Sequence, residues 1–218
     1  RAQGCAAVTG PTPPTFEVAP SRWVTASGAF DSWKADDGAQ VRSADTGNLL
    51  LDLAVVERLG LRFDPRYGLT GGEDSLFTRQ LTRAGGVIRF AAEAVVTKRV
   101  PAARARRTWV LERALRSGSS WARVRIDTAG PTDGGASGRL ARLRLRLGYG
   151  AKGLAKAGVD GARAGVARLR GDVPAQARYE VSSRGGLGMV VGALGGHVRE
   201  YGRPRRRRST APAGRGNA

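Results

Sequence analysis

The sequence is nearly without cysteine, histidine and methionine, each of which occurs once in 218 residues. With Cys5 alone, no disulfide can form within the chain and no cysteine-based zinc site exists. The pattern of a secretory signal peptide is also absent. The longest uncharged run, about residues 185–198, is shorter than the ~20 apolar residues of a spanning helix. The sequence therefore predicts no transmembrane helix, and it favours a cytoplasmic location or one at the inner face of the membrane.

Acidic residues are scarce in the second half of the chain. Residues 1–100 carry 12 basic and 11 acidic side chains, whereas residues 101–218 carry 25 basic and 7 acidic ones. A codon bias toward arginine would raise the basic count everywhere, so it leaves the neutral first half unexplained. The basic half predicts a polyanionic partner, either an anionic membrane surface or nucleic acid.

The first half has the pattern of an α/β domain. Apolar runs predict strands over residues 4–9, 48–51, 87–90 and 94–97. Asp52 and Gly60 bound one predicted helix, and a second runs from Glu73 to Gly85-Gly86. Residues 21–44 predict a long loop or two short edge strands. The strand–helix–loop–helix–strand order argues for an α/β core.

The second half predicts helices of a different character. One helix is expected over residues 105–123, and another apolar, glycine-rich one over residues 184–201. The chain then divides into a domain over 1–125, a linker over 126–138, a basic amphipathic helical region over 139–201 and a disordered tail over 202–218. His197, the lone histidine, is expected on a helix surface.

The stretch Gly71-Gly72-Glu73-Asp74 carries the clearest chemical signal. Two carboxylates in the first turn of a helix sit at its positive end, which favours their ionised form. The glycines let the backbone approach a ligand where a side chain would collide. An ionised carboxylate beside such a loop is what general-base activation of a hydroxyl group requires. Simple helix capping is the alternative, since acidic residues favour first turns anyway.

A series of motifs around this stretch resembles the C-terminal half of family 2 glycosyltransferases, particularly those of succinoglycan-type exopolysaccharide assembly. With a looser match before Thr46, the resemblance covers roughly residues 4–125. The motifs are Thr46-Gly47-Asn48-Leu49-Leu50, Phe63-Asp64-Pro65-Arg66-Tyr67-Gly68, Gly71-Gly72-Glu73-Asp74, Arg83-Ala84-Gly85-Gly86, Ala94-Val95-Val96 and Val100-Pro101, followed by Trp109.

The resemblance implies a partial GT-A (Rossmann-like) fold whose nucleotide-binding strands precede residue 1. Asp74 matches the catalytic base of an inverting transfer from a nucleotide-sugar donor to a hydroxyl acceptor, and Glu73 matches the acid beside it. Gly71 and Gly72 match the loop that borders the acceptor pocket. Asn48 and Trp23 fall where such enzymes line the sugar-binding cleft. The isolated chain is expected to be inactive.

Two departures from the family pattern concern metal binding. The complete enzyme is expected to use a divalent metal, Mg²⁺ or Mn²⁺, held by an Asp-x-Asp motif that is absent from this chain. Asp36-Asp37 is interpreted as surface. Where many GT-A enzymes place a histidine ligand, this sequence has Thr97. No metal ligand is therefore assigned here.

Residues 139–170 interleave arginine and lysine with leucine, alanine and valine. Such a basic amphipathic helix is predicted to lie on an anionic membrane surface, which agrees with the lipid-linked acceptors that the resemblance implies. Its six glycines weaken it, so the helix is expected to form only when bound. A solvated extension without a partner, a nucleic-acid-binding basic protein and a non-catalytic remnant stay open as alternatives, although no sequence-specific nucleic-acid motif is present.

Overall fold

The computed structural model describes residues 5–68, 70–129, 136–196 and 198, and in these it is mixed α/β. His197, the tail over 202–218 and the middle of the predicted linker lie outside the described residues. The strands are β1 Ala7–Thr9, β2 Pro14–Phe16, β3 Gln40–Val41, β4 Leu49–Leu51, β5 Ile88–Phe90 and β6 Lys98–Val100. The helices are α1 Arg22–Ala26, α2 Leu53–Arg58, α3 Glu73–Arg83, α4 Arg107–Thr128, α5 Ala136–Leu169 and α6 Val173–Ala193.

Four strands form a mixed sheet in the order β3-β5-β1-β4. β1 is parallel to β5 and antiparallel to β4, and β3 is antiparallel to β5. Ile88 and Phe90 of β5 point from the sheet into a core that also holds Leu81 of α3. The predicted strands at 4–9, 48–51 and 87–90 are therefore present, each starting later than predicted and ending at the predicted residue.

The prediction of a strand over residues 94–97 is wrong. The strand lies further on, at β6, where it pairs in parallel with β2 to form a separate two-stranded sheet. Val95 and Val96 are exposed instead. The apolar run predicted a strand, but a single backbone hydrogen bond, from the N–H of Val96 to the carbonyl oxygen of Pro11 at 3.1 Å, is not a ladder. A regular ladder begins only where residues 98–100 lie beside residues 14–16. Pro14 is tolerated because it stands at the first residue of a strand that has β6 as its only neighbour in the described sheet.

Residues 21–44 contain one short helix, α1, and one edge strand, β3, rather than two strands. Ser21 caps α1, since its hydroxyl oxygen accepts a hydrogen bond from the backbone N–H of Val24 at 3.3 Å. Trp23 and Val24 are buried against α4 and α6. Ser21 is a typical helix-capping residue, but the aromatic and glycine residues that follow it favoured the prediction of a loop or edge strands.

In the described part of the second half there are three packed helices, with α6 in contact with both α4 and α5. α4 extends to Thr128, past its predicted end. α6 begins at Val173, eleven residues before the predicted start and ends at Ala193. Asp172 explains the early start, because its carboxylate accepts from the N–H of Ala175 at 3.0 Å and Pro174 occupies the first turn.

Glycines let these helices approach at backbone distance. A Cβ added to Gly188 of α6 would lie 2.0 Å from the carbonyl oxygen of Leu115 in α4, and one on Gly192 would lie 2.3 Å from that of Ser119. On the opposite side of α6, a Cβ on Gly186 would lie 2.8 Å from the backbone of Gly153 in α5. The helix–helix contacts therefore depend on missing side chains rather than on interdigitating large ones.

α5 is continuous over 34 residues despite its glycines. The expectation that it forms only on binding a partner is not met, because its packing on α6 stabilises it within the chain. Asp160 marks the face of α5 that packs against α6, because it is buried and accepts a hydrogen bond from Ser182 of α6. Burial alone would raise the pKa of Asp160, but hydrogen bonds from Ser182 and Lys156 hold it below its usual value.

Over the described ranges, none of the helices combines the length and the apolar character needed to cross a bilayer.

Gly188→Ala is expected to destabilise the protein by about 1–3 kcal/mol, because its methyl group would meet the α4 backbone, which cannot rotate away. Gly158→Ala is the matched control, since Gly158 lies in α5 with no atom within 4 Å of an added Cβ. That change is expected to stabilise by up to about 1 kcal/mol. Urea unfolding monitored by circular dichroism measures both. Equal effects of the two substitutions would contradict the glycine-mediated packing.

Candidate active site

A cleft of about 700 Å³ opens beside the N-terminal end of α3. Residues 43–46 and the end of β1 form one wall, and residues 70–75 lie between the walls. α4 and the segment leading into it form the other wall, with lining residues from 104 to 125. The cleft therefore joins the sheet of the first half to the helices of the second.

The turn that enters α3 requires glycine. Gly71 and Gly72 have φ values of 73° and 96°, in the left-handed region that side chains disfavour. A Cβ on Gly72 would also lie 2.9 Å from the Cβ of Ser120 in α4. Both predicted glycines line the cleft, and their backbone lies directly against α4.

α4 holds this turn by hydrogen bonds. The Ser120 hydroxyl lies 3.1 Å from the Thr70 carbonyl oxygen and 2.9 Å from that of Gly71, positioned to donate to either. Arg123 donates to the Thr70 hydroxyl at 3.1 Å, and its guanidinium lies 4.5 Å from the centre of the Tyr67 ring. Tyr67 in turn donates to the carboxylate of Asp127 at 2.6 Å. The position of α3 is thus tied to α4 through the turn that precedes it.

Asp74 lies in the first turn of α3 and lines the cleft. Its side chain is half-buried, and its Oδ1 accepts from the N–H of Ser75 at 2.7 Å. Burial raises the pKa of Asp74 above its usual value, the Ser75 N–H opposes that effect, and the carboxylates of Asp45 and Glu73 add to it. A carboxylate that holds its proton more tightly is a stronger general base.

The direction of this pKa shift differs from the sequence expectation. The helix N-terminus was expected to favour the ionised form, and the N–H groups of Ser75 and Thr46 do act in that direction. Loss of water around the carboxyl is the larger effect. Burial could not be known from the four residues of the motif, because it depends on segments distant in sequence, among them Asp45 and Thr46, which lie near the carboxyl group.

Glu73 also lines the cleft, and its Oε2 is shielded from solvent. Within the described part of the chain, that oxygen has no hydrogen-bond partner. A buried carboxylate oxygen without a donor is costly in a folded protein. This oxygen has unused hydrogen-bonding capacity at the edge of the cleft, and the Glu73 side chain must move before a ligand hydroxyl can reach it.

The other two predicted site residues are not among those that line the cleft. Asn48 ties loops together: its Nδ2 donates to the carbonyl oxygens of Ala94 at 2.6 Å and Pro11 at 3.1 Å. Trp23 is only 9% exposed and packs with Val110 of α4 in the core. The structure thus brings together Gly71, Gly72, Glu73 and Asp74, and it places Trp23 in the core because α1 is a helix with an apolar face.

Cationic side chains line the cleft in excess, and the sequence reasoning missed them as site residues. Seven cations face three carboxylates, those of Asp45, Glu73 and Asp74. The cations are Arg79, Lys98, Arg99, Arg104, Arg113, Arg116 and Arg125. Lys98 pairs with Asp45 and Arg99 with Glu17. Arg79, Arg104, Arg116 and Arg125 form no ion pair with any carboxylate that the structure describes.

Two features of these cations favour an anionic ligand. Arg104, Arg113 and Arg116 surround the Trp109 ring, each 5.6–5.8 Å from its centre. Burial, with Arg125 and Arg83 nearby, lowers the pKa of Arg79, whose Nε has no hydrogen-bond partner among the described residues. Clustered cations repel one another, and a bound anion relieves that repulsion. The sequence did contain a signal for these cations, because arginines recur along α4 at Arg113, Arg116 and Arg125, all of which line the cleft.

No group of three or more His, Cys, Asp or Glu side chains is arranged to hold a metal ion within the described residues.

Comparison with known proteins finds a similarity over part of the chain. Over 129 residues the chain is 33% identical to the succinoglycan biosynthesis protein ExoM of Rhizobium meliloti (strain 1021). The match covers 59% of this chain but 42% of ExoM, so the chain spans less than half the length of that relative. No protein-family model and no solved structure matches the chain. Because the match covers only part of ExoM, an activity like that of the whole relative can only be proposed for this chain.

The raised pKa of Asp74 predicts a pH-dependent effect on stability. The folded protein retains the Asp74 proton to higher pH than the unfolded chain does, so wild-type stability should fall relative to Asp74→Asn as the pH rises from about 4, the ordinary Asp range, through the folded pKa. Urea unfolding of both proteins between acid and neutral pH measures this difference. A wild type that instead gains stability over Asp74→Asn with rising pH would mean that the helix N-terminus, not burial, dominates.

Proposed function

We propose that this chain forms the acceptor side of an inverting family 2 glycosyltransferase with Asp74 as its catalytic base. The observation that carries the proposal is the position of Asp74: a half-buried carboxylate with a raised pKa, at the start of a helix, on the wall of a cleft that can admit a sugar. Gly71 and Gly72 allow the left-handed turn that leads into Glu73 and Asp74.

The reaction is a single displacement. The Asp74 carboxylate takes the proton of an acceptor hydroxyl as that oxygen attacks the anomeric carbon of the donor sugar. The bond between the anomeric carbon and the nucleoside diphosphate breaks, and its electron pair leaves with the diphosphate. Attack from the opposite side inverts the configuration. Glu73 accepts a hydrogen bond from the acceptor and orients it.

The setting in exopolysaccharide synthesis rests on the similarity to ExoM, whose name assigns it to succinoglycan biosynthesis. The family 2 assignment and the partial GT-A fold rest on the order of the motifs from Thr46 to Trp109. The parallel β1–β5 pair beside α3 is compatible with such a fold. The donor-binding strands would be supplied by sequence outside this chain.

Mg²⁺ or Mn²⁺ is part of this proposal for the complete enzyme only. The metal would neutralise the departing diphosphate. The described residues offer no ligand cluster for it, so its Asp-x-Asp ligands would also lie outside this chain. Deprotonation by Asp74 does not depend on it.

The cationic wall of the cleft fits substrates that carry phosphate. The nucleotide-sugar donor is one such substrate, and a lipid-linked sugar acceptor is another. Arginine binds phosphate oxygens through paired N–H groups. Arg116 stands beside the Trp109 ring, and it forms no ion pair with a described carboxylate, so its guanidinium can serve this purpose.

Asp74→Asn is expected to lower sugar transfer by about 10²- to 10⁴-fold in the protein expressed from its complete reading frame, because the base is lost. Donor binding, measured by calorimetry, should change little. Asp52→Asn is the matched control: Asp52 also starts a helix but lies outside the cleft, and asparagine caps equally well. Transfer by Asp74→Asn at the rate of Asp52→Asn would remove Asp74 from its role.

Arg116→Gln is expected to lower kcat/KM by about tenfold to a hundredfold, the range for losing a hydrogen bond to a charged group. The loss should shrink as salt is added, since salt screens the contribution of the charge in the wild type. Arg58→Gln, at the exposed end of α2, is the control and should leave kcat/KM unchanged. A salt-independent loss would indicate that Arg116 acts through packing alone.

A further inference from the structure

α5 has small residues on the face that packs against α6. Gly153, Asp160, Ala164 and Ala167 are buried. Apart from Asp160, whose carboxylate is hydrogen-bonded to Ser182 and paired with Lys156 and Arg163, these positions carry at most a methyl group. The inward face therefore uses close backbone approach and one polar contact, and it buries no leucine at these positions.

Five of the six leucines of α5 lie away from this face, and only Leu145 is half-buried. Leu140, Leu143, Leu147, Leu154 and Leu169 are 50%, 51%, 66%, 61% and 90% exposed. At 3.6 residues per turn, Leu140, Leu147 and Leu154 fall within about 40° of one another around the helix axis. We call these five leucines the outer stripe. An ordinary helix of a globular protein turns its leucines inward, so this distribution is reversed.

Cations flank the outer stripe on both sides. By helical periodicity, Arg139, Arg146 and Arg168 lie along one edge, and Arg144 lies along the other. All four are exposed. α5 contains eight basic residues and one acidic residue, Asp160, which faces inward. The exposed face of α5 is thus a leucine stripe with positive charge on both sides.

We propose that the outer stripe and its flanking cations bind the surface of an anionic lipid bilayer, with α5 lying parallel to the membrane plane. The leucines would enter the boundary between headgroups and acyl chains, and the cations would contact lipid phosphates. A second copy of the chain fits this face poorly, because two such helices would bring like charges together. A nucleic acid would use the cations and leave the leucines in water.

This surface is connected to the cleft. Tyr149 of α5 makes an edge-to-face contact with Trp121 of α4, with ring centres 5.3 Å apart. Trp121 lines the cleft. A membrane-bound α5 would therefore hold the cleft wall close to the lipid surface. The proposal does not depend on catalysis, since α5 and its exposure are features of the chain itself.

Co-sedimentation of the full 218-residue chain with vesicles tests the proposal. Vesicles of equimolar phosphatidylcholine and phosphatidylglycerol should bind the protein, and vesicles of phosphatidylcholine alone should bind it far less. Leu147→Gln with Leu154→Gln is expected to weaken binding at least about tenfold, because two inserted apolar side chains are lost. Removing one flanking cation, Arg146→Gln, should weaken it about fivefold at low salt.

The matched control is Leu50→Gln with Leu53→Gln. Those leucines are 74% and 67% exposed and lie in β4 and α2, away from α5. This variant should bind vesicles as the wild type does. Circular dichroism should show unchanged helix content in both double variants, so that a loss of binding cannot be a loss of folding.

Several results would overturn the proposal. Failure of the wild type to bind anionic vesicles, equal binding to neutral ones, or undiminished binding by Leu147→Gln with Leu154→Gln would each do so. A wild-type dimer that this variant converts to a monomer in light scattering would assign the stripe to a second copy of the chain. Tight binding of duplex DNA with no effect of the leucine changes, and no vesicle binding, would assign the face to nucleic acid.

Discussion

The contact of α6 with α4 at backbone distance is the constraint on which the rest of the structure depends. Gly188 and Gly192 allow it, because any side chain there would collide with the carbonyl oxygens of α4. α4 is thereby held against the bundle, and Ser120 of α4 holds the Gly71-Gly72 turn. Since that turn sets the start of α3, the position and burial of Asp74 follow from a helix contact made by residues more than a hundred positions away in sequence.

Local signals in the sequence predicted local structure well. Asp52 and Gly60 bound α2 as expected, with an aspartate side chain capping the start and a glycine at φ 63° just after the end. The acidic pair Glu73-Asp74 and the helical spacing of the apolar residues after it placed α3 directly after Gly72. These predictions succeeded because a cap and its helix lie within a few residues of each other. The strand at 94–97 failed because pairing depends on a distant partner, and here the partner Pro14–Phe16 meets residues 98–100.

The candidate site was predictable only where its residues are adjacent in sequence. Glycines and carboxylates at 71–74 stand together in the cleft as the motif indicated. Trp23 does not line the cleft, because it lies on the hydrophobic face of α1 and packs in the core. Four of the seven cleft cations lie beyond residue 100 and were counted only as part of a basic second half, yet Arg113 and Arg116 of α4 lie beside Trp109 and line the cleft. Which arginines of a helix face a site depends on the rotation of that helix, and packing against α6 sets it.

The glycines of the second half have a physical role in helix packing. Glycine weakens an isolated helix by about 1 kcal/mol relative to alanine, and on sequence alone this argued against a stable α5. Gly153 contributes to close contact with α6 instead, so the inward face is buried without large side chains. Full burial of a leucine side chain contributes about 1.5–3 kcal/mol, and each exposed leucine of α5 lacks part of that contribution. In an extension that contacts only solvent, these leucines would stay in water and contribute nothing. Insertion of the leucines into a lipid surface would recover part of the free energy. The arrangement of small residues inward and leucines outward therefore favours a partner over solvent.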